Sequence, residues 1–208
     1  FASLEPKNRP MPGKEFWNDR YGASEYAYGV EPNVFFQHQL DTLNPGTLLL
    51  PAEGEGRNAV YAATRGWKVT CFDQSEMGRK KALQLAAEKG VEIDYRIASI
   101  DDFDTNEHFD AIGLVYVHLP SPLRSSFHNY MVELLNPDGR IILEAFSKEQ
   151  LGRTSGGPQD LQLLYSIDEL EDDFNELEDL SIEELEVDLM EGPFHEGKAM
   201  VLRLIANK

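Results

Sequence analysis

LLLPAEGEGRNAVYAA, residues Leu48–Ala63, is the stretch that decides the fold of this chain. An apolar run of strand length leads into a loop with Gly54 and Gly56, and a segment of helical composition follows. Glycine lets the backbone turn tightly and lets a ligand approach closely. A strand, a glycine loop and a helix in this order are typical of a nucleotide-binding turn. The loop also carries two carboxylates, Glu53 and Glu55, where a phosphate would have to lie.

The composition limits the kinds of protein that this chain can be. A length of 208 residues suits one domain with a sizeable core, and an apolar fraction of 41% is ordinary for a globular protein. Apolar runs stay well below the roughly 18 residues that span a bilayer, so we expect neither a membrane protein nor a signal peptide. Cys71 is the only cysteine, which excludes an intrachain disulfide and a cysteine-rich zinc site. A cytoplasmic location is the simplest expectation.

The net charge of −18 is concentrated in one part of the chain. Residues 154–197 contain 15 acidic residues and no Lys or Arg, which leaves −3 for the rest. Nucleic-acid binding needs a basic face, so this composition disfavours it. The acidic segment is predicted to be a solvated surface or, as an alternative, a docking surface for a basic partner.

Strand and helix patterns alternate from Gly46 onward. The predicted strands are residues 47–51, 67–72, 91–98, 109–117 and 140–146. One helix between them begins after Ser75, which has the properties of an N-cap, and ends at Gly90. Two alternating stretches, residues 182–190 and 199–205, predict a final antiparallel pair. These patterns predict an α/β, Rossmann-like three-layer sandwich. We expect one domain over residues 1–208, with residues 1–45 as a helical extension or lid and residues 46–208 as the core.

The polar residues after the predicted strands indicate a ligand. In such sheets the ligand lies off the carboxyl ends of the strands. Asp73 follows Glu53 by 20 residues and ends the second strand, where a carboxylate can accept both hydroxyls of a ribose. A pyrophosphate would meet like charge in this loop, whereas S-adenosylmethionine carries a sulfonium and an ammonium group and no phosphate. The loop therefore favours S-adenosylmethionine over NAD, unless Arg57 neutralises one carboxylate or Glu55 only serves the helix N-terminus.

The chain resembles the class I S-adenosylmethionine-dependent methyltransferases. Within them it is similar to the small bacterial tellurite-resistance or thiopurine methyltransferase-like group. The segments that carry the resemblance are FWNDRYGASEYAYGVEPN at 16–33, LLLPAEGEGRNAVYAA at 48–63, VTCFDQS at 69–75, FDAIGLVYVHLP at 109–120 and LLNPDGRIILEAF at 134–146. The resemblance covers residues 15–208 and implies a seven-stranded, mostly parallel sheet with an antiparallel last strand.

The resemblance also implies a set of cofactor contacts. The residues expected to bind S-adenosylmethionine are Tyr28, Glu53, Gly54, Glu55, Gly56, Asp73, Gln74, Ser99, Ile100 and Val117. The chain departs from the family at three positions. Leu50 stands where the family commonly has Asp, Ala52 where it has Gly, and Ser99 where it has an acid near the adenine amine.

The candidate acceptor site draws on residues from separate parts of the chain. His118 follows a long buried strand and is the candidate catalytic base, because its ordinary pKa suits proton transfer. The candidate substrate residues are Trp17, Tyr21, Tyr26, Glu144 and His195. For each of them a structural role is the alternative. The glycine-rich segment 154–158 is a candidate gate. No metal site is expected.

The predicted function is methyl transfer from S-adenosylmethionine to a small molecule, which could be a thiol, a chalcogen oxyanion or another small nucleophile. Positioning can supply much of the rate of such a displacement, and a base is needed only if the acceptor must lose a proton. One alternative is a non-catalytic S-adenosylmethionine-binding module whose acidic segment docks a partner. Another is an NAD-dependent oxidoreductase. We expect no nucleic-acid or membrane partner, and a homodimer is an open prediction.

Overall fold

The structure is a computed structural model that describes residues 11–208. Its helices are α1 (Lys14–Tyr21), α2 (Val34–Leu40), α3 (Arg57–Thr64), α4 (Glu76–Lys89), α5 (Ser121–Glu133) and α6 (Ile167–Phe174). Its strands are β1 (Thr47–Pro51), β2 (Lys68–Asp73), β3 (Asp94–Ile97), β4 (Phe109–Val115), β5 (Leu135–Phe146), β6 (Glu178–Met190) and β7 (Glu196–Asn207). Two short 3₁₀ turns cover Lys148–Gln150 and Leu161–Leu163.

The seven strands form one sheet in the order β3-β2-β1-β4-β5-β7-β6. The first five strands along the chain pair in parallel, and β7 runs antiparallel to both β5 and β6. The predicted α/β fold with seven strands and an antiparallel last strand is therefore confirmed. The strand order reverses between β1 and β4, so the loops after these strands separate there and leave a crevice at the carboxyl edge.

The alternation of side chains along β1 explains the layers. Leu49 points into one apolar cluster, with Ile112 and Leu143, while Leu48 and Leu50 point into the cluster on the other face. A strand with apolar residues on both faces must be covered on both. The leucine run in the sequence therefore places β1 in the middle layer, with helices on either side.

Most predicted boundaries agree with the structure, because their local signals are strong. The Ser75 hydroxyl accepts a hydrogen bond from the Gly78 N–H at 3.0 Å, and Gly90 adopts the left-handed conformation that ends α4. β3 is shorter than predicted, at Asp94–Ile97, and β6 begins earlier, at Glu178. Two further elements differ in kind. β5 begins at Leu135, before the expected turn at 137–139, with Asp138 in the left-handed region. α6 lies inside the acidic segment, where a capping box of Ser166 and Glu169 begins it.

The predicted helical extension contains α1 and α2, and the part of it before residue 11 lies outside the described residues. The division of the chain into extension and core remains a prediction. Between residues 11 and 208, the helices are too short or too polar to cross a bilayer.

A buried ionic cluster joins α5 to α6. Asp173 accepts hydrogen bonds from Arg124 at 2.8 Å and Ser125 at 2.6 Å, and it lies 2.8 Å from His128. The side chains of Arg124 and His128 are 3% and 0% exposed, so Asp173 is the counterion that makes their burial tolerable. Burial raises the pKa of Asp173, but the hydrogen bonds from His128, Ser125 and Arg124 outweigh it and lower the pKa to about 2.

We expect Asp173→Asn to lower the free energy of unfolding by about 3 kcal/mol at pH 7, because it leaves the buried Arg124 with only the more distant and more exposed Glu169, at 3.4 Å, as a counterion. A carboxylate whose folded pKa is depressed stabilises above its unfolded pKa and loses that effect as the pH falls toward 2. Urea unfolding at several pH values measures both effects. Asp172→Asn, an exposed neighbour, is the matched control and should change stability by less than about 0.5 kcal/mol. Equal stability of the two variants would contradict the structural role of the cluster.

Candidate active site

A cavity of about 610 Å³ opens at the carboxyl edge of the sheet. The loops after β1, β2, β3, β4 and β5 form its floor, and α1 and the β6–β7 loop cover it. The structure brings most of the predicted site residues to its wall: Trp17, Tyr21, Tyr28, Glu53, Gly54, Glu55, Asp73, Gln74, Ser99, Ile100, Val117, His118 and His195. Three predicted site residues, Tyr26, Gly56 and Glu144, lie outside the wall.

The two glycines of the loop serve different purposes. Gly54 has a φ of 57°, and a Cβ on it would lie 2.6 Å from the Tyr21 hydroxyl. This glycine therefore lets α1 come down over the loop. Gly56 has a φ of 85°, and a Cβ on it would collide with Ala82 of α4. Gly56 thus permits the close approach of α3 and α4, which is a packing role.

The departures at Leu50 and Ala52 have a structural consequence. Leu50 is buried in the apolar cluster beneath β1. Ala52 has a φ of 50°, in the left-handed region that favours glycine. The chain therefore keeps the backbone path of a glycine loop with an alanine, at a cost of about 1 kcal/mol.

The carboxylate of Glu55 has protein partners on both oxygens. It accepts a hydrogen bond from the Ala27 N–H at 2.7 Å and forms an ion pair with Lys81 at 2.7 Å. Its role is to fasten the N-terminal segment to the glycine loop and α4. The expectation that both loop carboxylates present free negative charge needs correction, because Lys81 neutralises Glu55. Arg57, which the sequence offered as the neutralising group, pairs with Glu191 instead.

Glu53 carries the free charge of the loop. Its Oε1 accepts from the Ala59 N–H at 2.7 Å, and its Oε2 lies 3.5 Å from the Asn58 amide. Among residues 11–208 it has no cation within ion-pair distance. Burial raises the pKa of Glu53 to about 7, and the Ala59 hydrogen bond and Arg57 only partly oppose this. A cationic ligand would relieve the cost of this buried carboxylate.

Asp73 ties two loops together at the end of β2. Its oxygens accept from the Gly54 N–H at 3.1 Å and the Ser75 N–H at 2.9 Å. Burial raises the pKa of Asp73 despite these hydrogen bonds. Each oxygen keeps a lone pair for a ribose hydroxyl. Ser99 lines the wall, but its hydroxyl donates to Asp102 at 2.6 Å.

Glu144 belongs to a buried polar network behind the wall. It pairs with Arg203 at 2.6 Å and accepts from the Tyr116 hydroxyl and the Asn33 amide, each at 2.7 Å. A buried carboxylate needs a partner, and Glu144 has three of them. Asn33 also donates to Glu191 at 3.1 Å, so the network reaches the β6–β7 loop.

His118 is held by backbone groups on both ring nitrogens. Its Nδ1 lies 2.7 Å from the Leu163 carbonyl, and its Nε2 lies 3.3 Å from the Phe146 N–H. Burial lowers the pKa of His118 to about 4. Nδ1 therefore donates and Nε2 accepts, and no lone pair remains for a substrate proton. This geometry argues against the predicted catalytic base and favours a role in shaping the loop after β4.

His195, unlike His118, has a carboxylate beside one ring nitrogen and leaves the other without a partner among the described residues. Its Nδ1 lies 3.4 Å from Glu191 Oε2, and its Nε2 has no hydrogen-bond partner within the described part of the chain. Aromatic rings surround it, with centroids 4.5 Å away in Tyr28, 4.6 Å in Tyr116 and 5.2 Å in Phe146. Burial lowers the pKa of His195 more than Glu191 raises it, so the ring is neutral at pH 7.

Tyr26 is engaged elsewhere: its hydroxyl donates to the Lys81 carbonyl at 3.3 Å.

Several wall residues were not predicted from the sequence. They are Phe16, Arg20, Tyr116, Phe146, Leu163 and Phe194. Tyr116 has a φ of 54°, an unusual conformation for a bulky residue, and such outliers cluster at functional sites. The positions of Tyr116 and Phe146 at the ends of predicted strands were the sequence signals among them. The predicted gate contributes Gly156 and Gly157, whose backbones pack against His195 and Phe146. Among the described residues, no cluster of three or more metal-ligating side chains occurs.

Comparisons with known proteins agree with this architecture. A family model described as a methyltransferase domain matches residues 51–139. A tRNA (uracil(54)-C(5))-methyltransferase of Pyrococcus abyssi is 27% identical over 76% of this chain. The chain spans only 39% of the length of that relative.

Two solved structures share the fold. TehB from Haemophilus influenzae superposes with a TM-score of 0.72 at 18% identity, covering 94% of this chain and 66% of TehB. The N-methyltransferase NodS from Bradyrhizobium japonicum, in complex with S-adenosyl-L-homocysteine, superposes with a TM-score of 0.65 at 14% identity, covering 93% and 97%. At these identities the likeness concerns the fold. The matched methyltransferase domain, the sheet order and the glycine loop agree with the predicted resemblance to the class I S-adenosylmethionine-dependent methyltransferases.

Proposed function

We propose that this chain transfers a methyl group from S-adenosylmethionine to a small molecule bound in the cavity. The observation that carries the proposal is one continuous cavity with two unlike ends. One end has the glycine loop and buried carboxylates, and the other has aromatic rings around His195. A cavity that holds the cofactor and the acceptor side by side accelerates the reaction, because the bimolecular step becomes effectively unimolecular.

The carboxylate end fits the cofactor. Glu53 is a buried carboxylate without a cation among the described residues, and the ammonium or sulfonium of S-adenosylmethionine would favour its ionised form. Asp73 offers acceptor lone pairs for the ribose. A pyrophosphate would meet the charge of Glu53, so NAD fits this end poorly.

The aromatic end fits a small acceptor. Phe16, Trp17, Tyr28, Phe146 and Phe194 give it apolar, planar walls beneath α1 and the β6–β7 loop. The name of the Pyrococcus relative states a tRNA acceptor. The net charge of −18 disfavours an RNA acceptor for this chain, because RNA phosphates are bound by basic surfaces. A cytoplasmic location and a homodimer remain predictions.

His195 is the base in this proposal. Glu191 holds Nδ1, so the proton of the neutral ring lies there and Nε2 can accept a proton from an O–H or N–H acceptor. The carboxylate of Glu191 then stabilises the resulting imidazolium. S-adenosylmethionine, when bound, supplies the methyl group on a sulfonium that leaves as a neutral thioether. An acceptor that must lose a proton is therefore favoured over an oxyanion that needs no base.

Calorimetric titration with S-adenosylmethionine, S-adenosylhomocysteine and NAD tests the cofactor assignment. We expect micromolar binding of the two sulfur ligands and none of NAD. Asp73→Asn should weaken S-adenosylhomocysteine at least tenfold, because it removes charged hydrogen bonds to the ribose that are worth about 1.5–3 kcal/mol. Asp172→Asn is the control. Unchanged affinity in Asp73→Asn would reject the ribose assignment.

Glu53→Gln should move stability and cofactor affinity in opposite directions. A carboxylate whose folded pKa is raised from 4.5 to about 7 destabilises the protein increasingly as the pH rises through that window. The variant should therefore gain about 2 kcal/mol relative to the parent at pH 8 and little at pH 5, while S-adenosylmethionine binds more weakly. Thermal unfolding and calorimetry measure the two effects. Glu92→Gln, on an exposed residue, should alter neither. A stability gain with full affinity would show that Glu53 has no part in binding.

His195→Gln should lower turnover about a hundredfold, because it removes the base and keeps a hydrogen-bonding side chain. Formation of S-adenosylhomocysteine with a panel of phenols, heteroaryl N–H compounds and thiols provides the assay. In the pH–rate profile of the parent, the rate should fall at low pH as His195 becomes protonated. The variant should not show this fall. His118→Gln is the comparison and should retain its acid limb. Tight cofactor binding with no turnover on any acceptor would favour the non-catalytic binding module.

A further inference from the structure

A buried tyrosine from the acidic segment reaches the cavity wall from behind. Tyr165 follows the second 3₁₀ turn, is 0% exposed and does not itself line the cavity. Its hydroxyl donates to the Val117 carbonyl at 2.6 Å and accepts from the Leu119 N–H at 3.0 Å. Both of these loop residues line the cavity. One side chain thus binds the loop after β4 on both sides of His118.

His118 makes the same contact from the opposite direction. Its Nδ1 donates to the Leu163 carbonyl at 2.7 Å, and its ring centroid lies 5.2 Å from that of Tyr165. The backbone of Tyr165 is fixed in turn, because its N–H donates to the Phe146 carbonyl at 3.2 Å and its carbonyl accepts from the Lys148 N–H at 2.9 Å. Burial raises the pKa of Tyr165, so the hydroxyl keeps the proton that it donates. The loop after β4 is therefore held by hydrogen bonds from two adjacent side chains.

The loop needs this support because it contains a strained residue. Tyr116 has a φ of 54°, and a bulky residue keeps such a conformation only where its surroundings fix it. The conformation places the Tyr116 ring 4.6 Å from the ring of His195 and 4.6 Å from that of Phe146. The hydrogen bonds to Val117 and Leu119 follow directly in the sequence. They therefore fix the direction in which the chain leaves the strained residue.

We propose that Tyr165 is a positioning residue for the proposed methyl transfer. By binding the loop after β4, its hydroxyl holds the Tyr116 ring beside His195, where the acceptor meets the base. The Tyr165 ring is itself held by the ionic cluster of α5 and α6, because the central carbon of Arg124 lies over it at 5.2 Å from the centroid. The role in transfer rests on the proposed function, whereas the contact with the loop belongs to the protein alone.

Tyr165→Phe tests the proposal, because it keeps the ring and removes the hydroxyl alone. The Val117 carbonyl and the Leu119 N–H then lose this partner inside the protein. Tyr130→Phe is the matched control. The Tyr130 hydroxyl also accepts from a backbone N–H, that of Thr105 at 3.1 Å, but it lies outside the cavity wall. Thermal unfolding compares the stability of the two variants.

NMR of the free protein measures the contact without any ligand. Burial lowers the pKa of His118 to about 4, so a loosened loop that admits water should raise this pKa toward its ordinary value. We expect a rise of at least about one pH unit in Tyr165→Phe and none in Tyr130→Phe. Exchange of the Leu119 amide proton should also become at least tenfold faster in Tyr165→Phe. In the parent this amide should be protected, a measurement that decides even if the variant does not fold.

Turnover and cofactor binding separate positioning from a general loss of structure. On the best acceptor of the panel, we expect kcat of Tyr165→Phe to fall at least tenfold, because the Tyr116 ring no longer keeps its place beside His195. Affinity for S-adenosylhomocysteine should change less than threefold, since Glu53 and Asp73 lie at the ends of other strands. The calorimetric stoichiometry gives the folded fraction to which kcat is normalised.

An unchanged His118 titration together with unchanged Leu119 exchange in Tyr165→Phe would overturn the proposal, as would a Leu119 amide without protection in the parent. A loosened loop with unchanged kcat would overturn the role in transfer. Equal losses of kcat and of S-adenosylhomocysteine binding would show that Tyr165 is only structural. Failure of the parent to bind S-adenosylhomocysteine would instead reject the proposed function, and the NMR measurements would still decide on the contact with the loop.

Discussion

The ion pair between Arg57 and Glu191 is the contact on which the shape of the cavity depends. Arg57 begins α3, directly after the glycine loop, and Glu191 is the first residue of the β6–β7 loop. Both side chains are at most 10% exposed, so breaking the pair would leave a buried charge and cost about 3–5 kcal/mol. Through Asn33 the same carboxylate is linked to Glu144 and the centre of the sheet. One network thus fixes the cover of the cavity and orients His195.

The two carboxylates of the glycine loop show how position decides the role of a charge. Glu55 pairs with Lys81 and accepts a hydrogen bond from the Ala27 N–H, so its charge is neutralised and it binds the N-terminal segment. Glu53, two residues earlier, has hydrogen bonds but no cation among the described residues, and burial raises its pKa to about 7. A buried group that is costly in the free protein can contribute to binding, because a cationic ligand removes the cost. The strain at Ala52 and Tyr116 lies in the same region, at the ends of β1 and β4.

Prediction from the sequence was accurate where a local rule applies. The Ser75 cap, the Gly90 stop and the leucines of β1 have short-range causes, and the structure has those elements where they were expected. Prediction was less accurate where contacts between residues far apart in the sequence determine the structure or the role of a side chain. α6, within the acidic segment, was not predicted, because its apolar face is defined only by packing on α5 and β6. His118 and His195 look alike in the sequence, and only the structure shows backbone partners on both nitrogens of the first and a free Nε2 in the second.

The sequence by itself determined the fold and the glycine loop, because strand periodicity and turn chemistry act over a few residues, and it predicted Asp73 as the ribose carboxylate. It also located the acidic excess and disfavoured a nucleic-acid partner. Only the tertiary structure decided which polar groups are neutralised and which face the cavity. Lys81 neutralises Glu55, Arg203 neutralises Glu144, and Arg20 meets Phe194 from the other end of the chain. These pairings join residues far apart in the sequence, and their energies depend on burial that no local pattern encodes.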